Sequence, residues 1–492
     1  MSRRDWPAAE AAAQEKLKSW VSDGPGGVVL GMERGMPRLI AAAGHCGAGR
    51  GPLGPDSVFR WASVTKHVFA TCLLESEAFS LDMPLGEALC ELAAAPAAVT
   101  VAQALAMQGG LPDPRECLTL LGVGAHERTE ADALYTWMAG FDWLNAAPGS
   151  EVAYSNGGYR LLEMALARRG FVFSEMVAAH AARLGIGMRA SEFWTDPVPG
   201  LVPGHVPEAG GWSEGFQGMH LSAAGSLSGS AMDLARWLAD LMPRAIFDRI
   251  ARPMPLGSGE ATGYGLGISL TRIGNMAVPG HGGAQAGYRA GFLCDREREI
   301  ALVVLTNRDD GDATGLVAHV WAALYGVPKG ALPKPAGEWA PPGLYAAAEG
   351  ELWAEVRPGS IVVRDAEEML FEGDDGWFVS NAAQSRMRLR YEDGALTGEL
   401  FHRPVRLLPV AADDEAPDLD GDWMCDGAHL QIRGRTLHWG RGPLRQTVTL
   451  MPLGSGRWLF SAGGRRICLQ HLTRDRIRLS LARARGVEYR RV

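Results

Sequence analysis

The chain has 492 residues, 47% of them hydrophobic and 21% charged, with a formal net charge of −8. That is the composition of a globular protein too long for one core, so two to four domains are expected. The arginines are interleaved with acids and form no basic stripe, which argues against a nucleic-acid partner, and no run of about 18 apolar residues offers a membrane span.

Residues 1–20 are charged and helix-forming and lack the apolar centre of a signal peptide, so the expected location is the cytoplasm. Seven cysteines, odd in number and without a C-x-x-C pair, fit buried free thiols better than a disulfide framework or a zinc site. Residues 8–20 read as an amphipathic helix, and 26–31 with 39–42 as a strand pair around Arg34-Gly35. A helix is expected from Ser63, with the apolar stretch 68–74 buried. Helical patterns then alternate with loops to about Met242, including a capping box at Ser230-Ala231-Met232-Asp233. Three strands follow at 275–282, 286–294 and 300–307. Helices at the chain start packed with these late strands predict an antiparallel sheet flanked by helices, within a multidomain α+β protein.

A proline-rich linker at 329–341 ends this first domain, 1–328. Beyond it lie short alternating strands, divided at an acidic linker, 411–417, into two similar pieces, 342–413 and 414–492. Each piece opens with glycine near an aromatic (Gly343-Leu344-Tyr345 and Gly421-Asp422-Trp423) and closes on an arginine-bearing strand. They read as a tandem repeat of small antiparallel β-barrels.

Only five of the 48 basic side chains are lysine, and one of these, Lys66, stands three residues after Ser63. Arginine keeps its proton, whereas a buried lysine can lose it and serve as a base. At i and i+3 of a helix the two side chains share a face; alone, S-x-x-K is a weak signal that an exposed helix start also satisfies. In Tyr154-Ser155-Asn156, followed by Gly157-Gly158, the tyrosine can shuttle a proton and the asparagine can hold the nucleophile or a substrate carbonyl. The competing reading is an ordinary turn. In Pro279-Gly280-His281-Gly282-Gly283-Ala284, the glycines allow a strand edge to approach a ligand. His281 would then face the cleft, and the Ala284 N–H would face an oxyanion beside that of Ser63; a structural histidine is the alternative. The match Gly211-Trp212-Ser213-Glu214-Gly215 to a nucleophile elbow lacks the strand before it and the helix after it, and reads as a substrate-facing loop.

The order S-x-x-K, Y-S-N, H-G-G, spaced by roughly 90 and 125 residues, is far more specific than any single element. It resembles the penicillin-recognising serine hydrolases: class C β-lactamases, D,D-peptidases and related esterases. The histidine form of the third motif, the two trailing repeats and the terminal stretch 481–492, Leu481-Ala482-Arg483-Ala484-Arg485-Gly486-Val487-Glu488-Tyr489-Arg490-Arg491-Val492, together resemble the D-stereospecific aminopeptidases, across essentially the whole chain. The resemblance implies a β-lactamase or penicillin-binding-type catalytic domain followed by two eight-stranded barrels, with Ser63 acylated and Lys66 and Tyr154 moving its proton. It further implies that Asn156 positions substrate, that His281 stabilises charge, and that Gly282, Gly283 and Ala284 line the substrate strand. Neither metal nor organic cofactor is implied; the partner is a small peptide or amide, and a homodimer is the family's pattern. The alternatives are an esterase or D,D-peptidase of the same fold, or a non-catalytic ligand-binding protein.

One departure stands out. Aminopeptidases of this group are expected to offer a carboxylate from a loop of the last barrel to the substrate ammonium. The comparable stretch here, 461–466, carries Arg465 and Arg466 and no acid. Glu214 and Asp309 are the replacement candidates.

Overall fold

The computed structural model describes residues 4–20, 24–47, 51–382, 386–411 and 419–492. A six-stranded antiparallel sheet forms the centre of the first domain. Its spatial order is Met36–Ala43, Gly27–Glu33, Ile300–Thr306, Tyr288–Asp295, Met276–Gln285, Ser269–Ile273. Strand Gly27–Glu33 pairs with Ile300–Thr306 along its whole length, so the start and end of the domain close on each other. Both sheet faces are covered, and the alternation along the strand shows it: Val28, Leu30 and Met32 join one core, Val29 the other. On the second face lie the helices Trp6–Leu17 and Ala313–Leu324. The first of these is capped by Asp5, whose Oδ1 accepts from Ala8 N at 2.9 Å.

The first face carries helix Thr65–Glu75, in which every residue from Thr65 to Leu74 is buried. It also carries Ala231–Leu241, opened by the expected Ser230/Asp233 capping box. The α-helix starts at Thr65 rather than at Ser63, which occupies a preceding 3₁₀ turn, Ala62–Val64. Gly211–Glu214 is one arm of a hairpin with His205–Glu208, not a nucleophile elbow.

Past the linker, eight strands from Gly343–Ala346 to Arg403–Pro409 close into a barrel through Tyr345↔Pro409 and Ala346↔Leu408. The last unit has nine strands, one more than expected, because the ninth is the two-residue Met451–Pro452. This sheet is nearly closed, strand Gln446–Thr449 lying against Arg457–Ala462. The boundary expected at 413/414 lies outside the described residues.

The last barrel does not stand alone. Cys117, Leu120 and Leu121, at the end of the first-domain helix Pro114–Leu120, belong to the same apolar cluster as its Trp423, Leu430, Ile477 and Tyr489. The Tyr489 hydroxyl donates to Leu120 O at 2.8 Å. Trp353 and Val362 of the first barrel share a third cluster with Leu459 and Cys468 of the second. The three units therefore share cores in series.

Candidate active site

Ser63 owes its position to a strained turn. Ala62, the residue before it, has φ of +50°, a left-handed conformation that costs a β-carbon-bearing residue about 1–3 kcal/mol. Against this turn runs the H-G-G strand. A Cβ on Gly283 would lie 2.3 Å from Trp61 O and 3.2 Å from Ser63 N, so glycine is required for the approach. Ala284 and Ser63 consequently line the same cleft.

Lys66 is fully buried. Its Nζ lies 3.0 Å from Ser63 Oγ, 2.8 Å from Asn156 Oδ1 and 2.7 Å from Ala224 O. The two carbonyl-type oxygens can only accept, so they take two N–H bonds of an unprotonated amine and leave its lone pair for the Ser63 O–H. The Asn156 orientation is fixed independently. Its backbone N and Nδ2 donate to Asp113 Oδ2 at 2.9 and 2.8 Å, while Asp113 Oδ1 caps Pro114–Leu120. The Asn156 amide is thus committed to Lys66 and Asp113, although the residue also lines the cleft.

Burial is the main force on Lys66 and pushes its pKa far below the usual lysine range; Asp113 opposes this, and the charges of Arg483 and Arg160 reinforce it. Tyr154, hydrogen-bonded to Ser63, is raised to about 12, chiefly by burial, and so stays a phenol at neutral pH. The rings of Tyr154 and Tyr159 lie 4.9 and 5.4 Å from Lys66 Nζ.

His281 does not line the cleft as expected. It is 6% exposed, its Nε2 is 2.8 Å from the Tyr264 hydroxyl, and its Nδ1 contacts Gly282 O. Burial, with Lys66 nearby, lowers it to about 3, so it is uncharged at pH 7. Its ring sits 6.3 Å from that of Tyr154. The replacement acids are also elsewhere. Asp309 is held bidentately by Arg289 at 2.8 Å, and Glu214 is exposed on the hairpin.

No residue of the 461–466 turn lines the cleft. Arg465 bridges Asp365 of the first barrel and Glu116, and Arg466 pairs with Glu355 at 2.8 Å. A different turn of the same barrel reaches the site, between strands Arg476–Leu481 and Ala484–Arg491. Arg483 O accepts from Asp113 N at 2.8 Å, Arg483 N donates to Glu116, and the guanidinium lies 4.8 Å over the Tyr154 ring. Arg485 and Arg403, one from each barrel, pair with the buried Glu151 at 2.7 and 3.3 Å, three residues before Tyr154. Both barrels therefore hold the Tyr154 loop. Sequence reading missed Asp113, whose only local signal is an Asp-Pro helix start, and the role of Arg483. Among the described residues no three His, Cys, Asp or Glu side chains gather into a metal-binding group.

The buried histidines have a measurable consequence. His67 and His220 are lowered to about 4, and His281 to about 3, each chiefly by burial. These folded pKa values lie below that of the unfolded chain, so unfolded protein binds the extra protons as pH drops below 6.5 and stability falls. Glu163, raised by burial to about 7, acts in the opposite sense. With these three histidines, and His180 lowered in the same sense, against one carboxyl, stability declines by about 2–3 kcal/mol per pH unit between pH 6 and 5. Thermal melting followed from pH 8 to 5 checks this; a flat melting temperature across that range contradicts it.

The beta-lactamase family profile matches residues 15–326, and the chain belongs to that family. A D-aminopeptidase of Cereibacter sphaeroides is 25% identical over 334 residues, 65% of this chain and 64% of that protein. The match to a second Cereibacter D-aminopeptidase spans about half of each chain, at 49%. A D-aminopeptidase of Brucella ovis is 23% identical over 91% of this chain and 82% of its own. Among solved structures, an octameric penicillin-binding protein homologue from Pyrococcus abyssi aligns with 99% of this chain and 100% of its own, at 17% identity and a TM-score of 0.57. A D-amino acid amidase from Ochrobactrum anthropi aligns with 64% of this chain and 97% of its own, at 20% identity and a TM-score of 0.53.

Proposed function

We propose that this protein is a serine hydrolase that releases N-terminal D-residues from short peptides, amides or esters through an acyl-enzyme on Ser63. The observation carrying this reading is Lys66 Nζ at 3.0 Å from Ser63 Oγ with its other two contacts both to acceptors; the D-aminopeptidase relatives supply the substrate class. Ser63 Oγ attacks the acyl carbonyl as its proton passes to Lys66. The N–H groups of Ser63 and Ala284 receive the oxyanion. The C–N bond then breaks, and Tyr154, recharged from Lys66, returns the proton to the departing nitrogen. Water, deprotonated by the same pair, cleaves the ester and restores Ser63. His281, being neutral, supports the aromatic wall through Tyr264. Seven free thiols are in keeping with a reducing cytoplasm; among the described residues no helix is long and apolar enough to cross a membrane. A homodimer belongs to this reading; the octameric structural relative is in keeping with self-association, not with a dimer in particular.

The test compares D-alanine p-nitroanilide with its L-enantiomer and its N-acetyl derivative. The expected result is a D over L preference of at least about 100-fold and a comparable loss on acetylation. Equal turnover of the acetylated substrate would instead favour an esterase or D,D-peptidase.

A further inference from the structure

Hydrolysis at Ser63 has two sides, and Tyr154 marks one of them. In the proposed reaction Tyr154 hands the proton to the departing group, so whatever lies on its outer face addresses the leaving portion of the substrate. That position is occupied by the Arg483 guanidinium, 4.8 Å over the ring. Its backbone is held on both sides by the catalytic domain, through Asp113 N and the Glu116 carboxylate. The turn is also locked at Gly486, where a Cβ would lie 2.4 Å from the Trp143 ring. The side chain itself is exposed and makes no ion pair among the described residues.

A second guanidinium stands on the same flank. Arg115 lines the cleft, where Asp113 and Glu116 favour its charge and Arg465 and Arg483 oppose it. Arg465 is neutralised by Asp365 and Glu116; the nearby Asp113 is engaged by Asn156 and its helix cap. No carboxylate lines the cleft among the described residues. Neither the Arg115 nor the Arg483 guanidinium has an ion-pair partner among the described residues, and a ligand carboxylate accepts bidentate hydrogen bonds from such a group.

We infer that Arg483, with Arg115, binds a carboxylate on the leaving group, so that the preferred substrates are short peptides, dipeptides foremost, rather than simple amides. An amino-acid leaving group fits this spacing: its carboxylate carbon is about 2.5 Å from the departing nitrogen. The inference rests on acylation at Ser63, and it would place a specificity determinant of the first domain's chemistry in the last barrel.

The experiment measures kcat/KM of wild type and Arg483→Gln on two matched pairs. The first pair is D-alanyl-glycine and D-alanyl-glycinamide; the second is the acetate esters of 3-hydroxybenzoate and of phenol. Because Arg483 also acts electrostatically on Lys66 and Tyr154, the readout is the ratio of charged to neutral substrate, not the rate alone. Wild type is expected to favour the charged member of each pair. The substitution should lower that preference by about 10–100-fold, expressed mainly in KM, and Arg483→Lys should restore part of it. A wild type indifferent to the carboxylate, or an equal loss on both members of a pair, overturns the inference. Ester preference that depends on Arg483, with no release of D-residues, would leave this inference standing and remove the aminopeptidase reading. Release of D-alanine without carboxylate preference would do the reverse.

Discussion

Replacing Ser63 with alanine is expected to lower kcat/KM on D-alanine p-nitroanilide by about 10⁴–10⁶-fold, the range seen when an acylated nucleophile is removed from a site whose parts act as a unit. The substitution is conservative everywhere else. Alanine keeps the 3₁₀ backbone of Ala62–Val64 and the N–H proposed to receive the oxyanion, and it leaves Lys66 with Asn156 and Ala224 as partners. What is lost is the oxygen that forms the covalent bond. Steady-state turnover is therefore to be paired with intact-protein mass spectrometry: wild type carries the mass of one acyl group after exposure to a slowly deacylating ester, and the variant carries none. A variant that retained a tenth of wild-type activity would require another nucleophile. The elbow-like Ser213 could not serve, because it sits in an exposed hairpin rather than between a strand and a helix.

The sequence alone located Ser63, Lys66, Tyr154 and Asn156, and the geometry brings them together. The reason is that S-x-x-K and Y-S-N are local patterns whose spacing on helix starts determines where side chains go. The antiparallel sheet was likewise legible in five of its six strands, since three apolar strands and an early strand pair near helices leave few antiparallel arrangements; the edge strand Ser269–Ile273 was not foreseen. His281 was harder. Alternation tells which face a strand residue occupies, and glycines on both sides of His281 erase the alternation, so its turn toward Tyr264 was not readable. The ninth strand of the last barrel escaped because Met451–Pro452 is shorter than any pattern that sequence reading uses. Arg483 escaped for another reason. Its segment was noted as a family-like tail, but its approach to Tyr154 depends on the packing of Trp423, Leu430 and Tyr489 around the end of helix Pro114–Leu120. That contact is created by tertiary docking and leaves no periodic trace. The same docking misdirected attention to the 461–466 turn, which by length and position was the plausible loop, yet whose arginines are consumed by Asp365, Glu116 and Glu355.

Lys66→Arg is the substitution that separates base catalysis from simple positive charge. Elsewhere this chain uses arginine almost without exception, so the change would be unremarkable at most of its sites. At position 66 it should cost about 10³–10⁴-fold in kcat/KM, since a guanidinium does not release its proton at working pH and cannot accept one from Ser63. The pH profile gives the sign. A lysine base works only when neutral, so wild-type kcat/KM rises with pH through the folded-state pKa of Lys66, which burial sets well below the ordinary value of 10.5. Tyr154, at about 12, stays protonated throughout and adds no limb below that pH. The acidic limb should therefore lie well below pH 10 in wild type and vanish in Lys66→Arg, whose residual rate would be flat. Lys66→Met removes the charge as well as the base. If the methionine variant is as slow as the arginine variant, loss of the proton acceptor accounts for the defect; if arginine is nearly as fast as wild type, the lysine is a cation and not a base. The pocket's construction favours the first result, because Asn156 Oδ1 and Ala224 O consume two N–H bonds and aim the remaining valence of Nζ at Ser63.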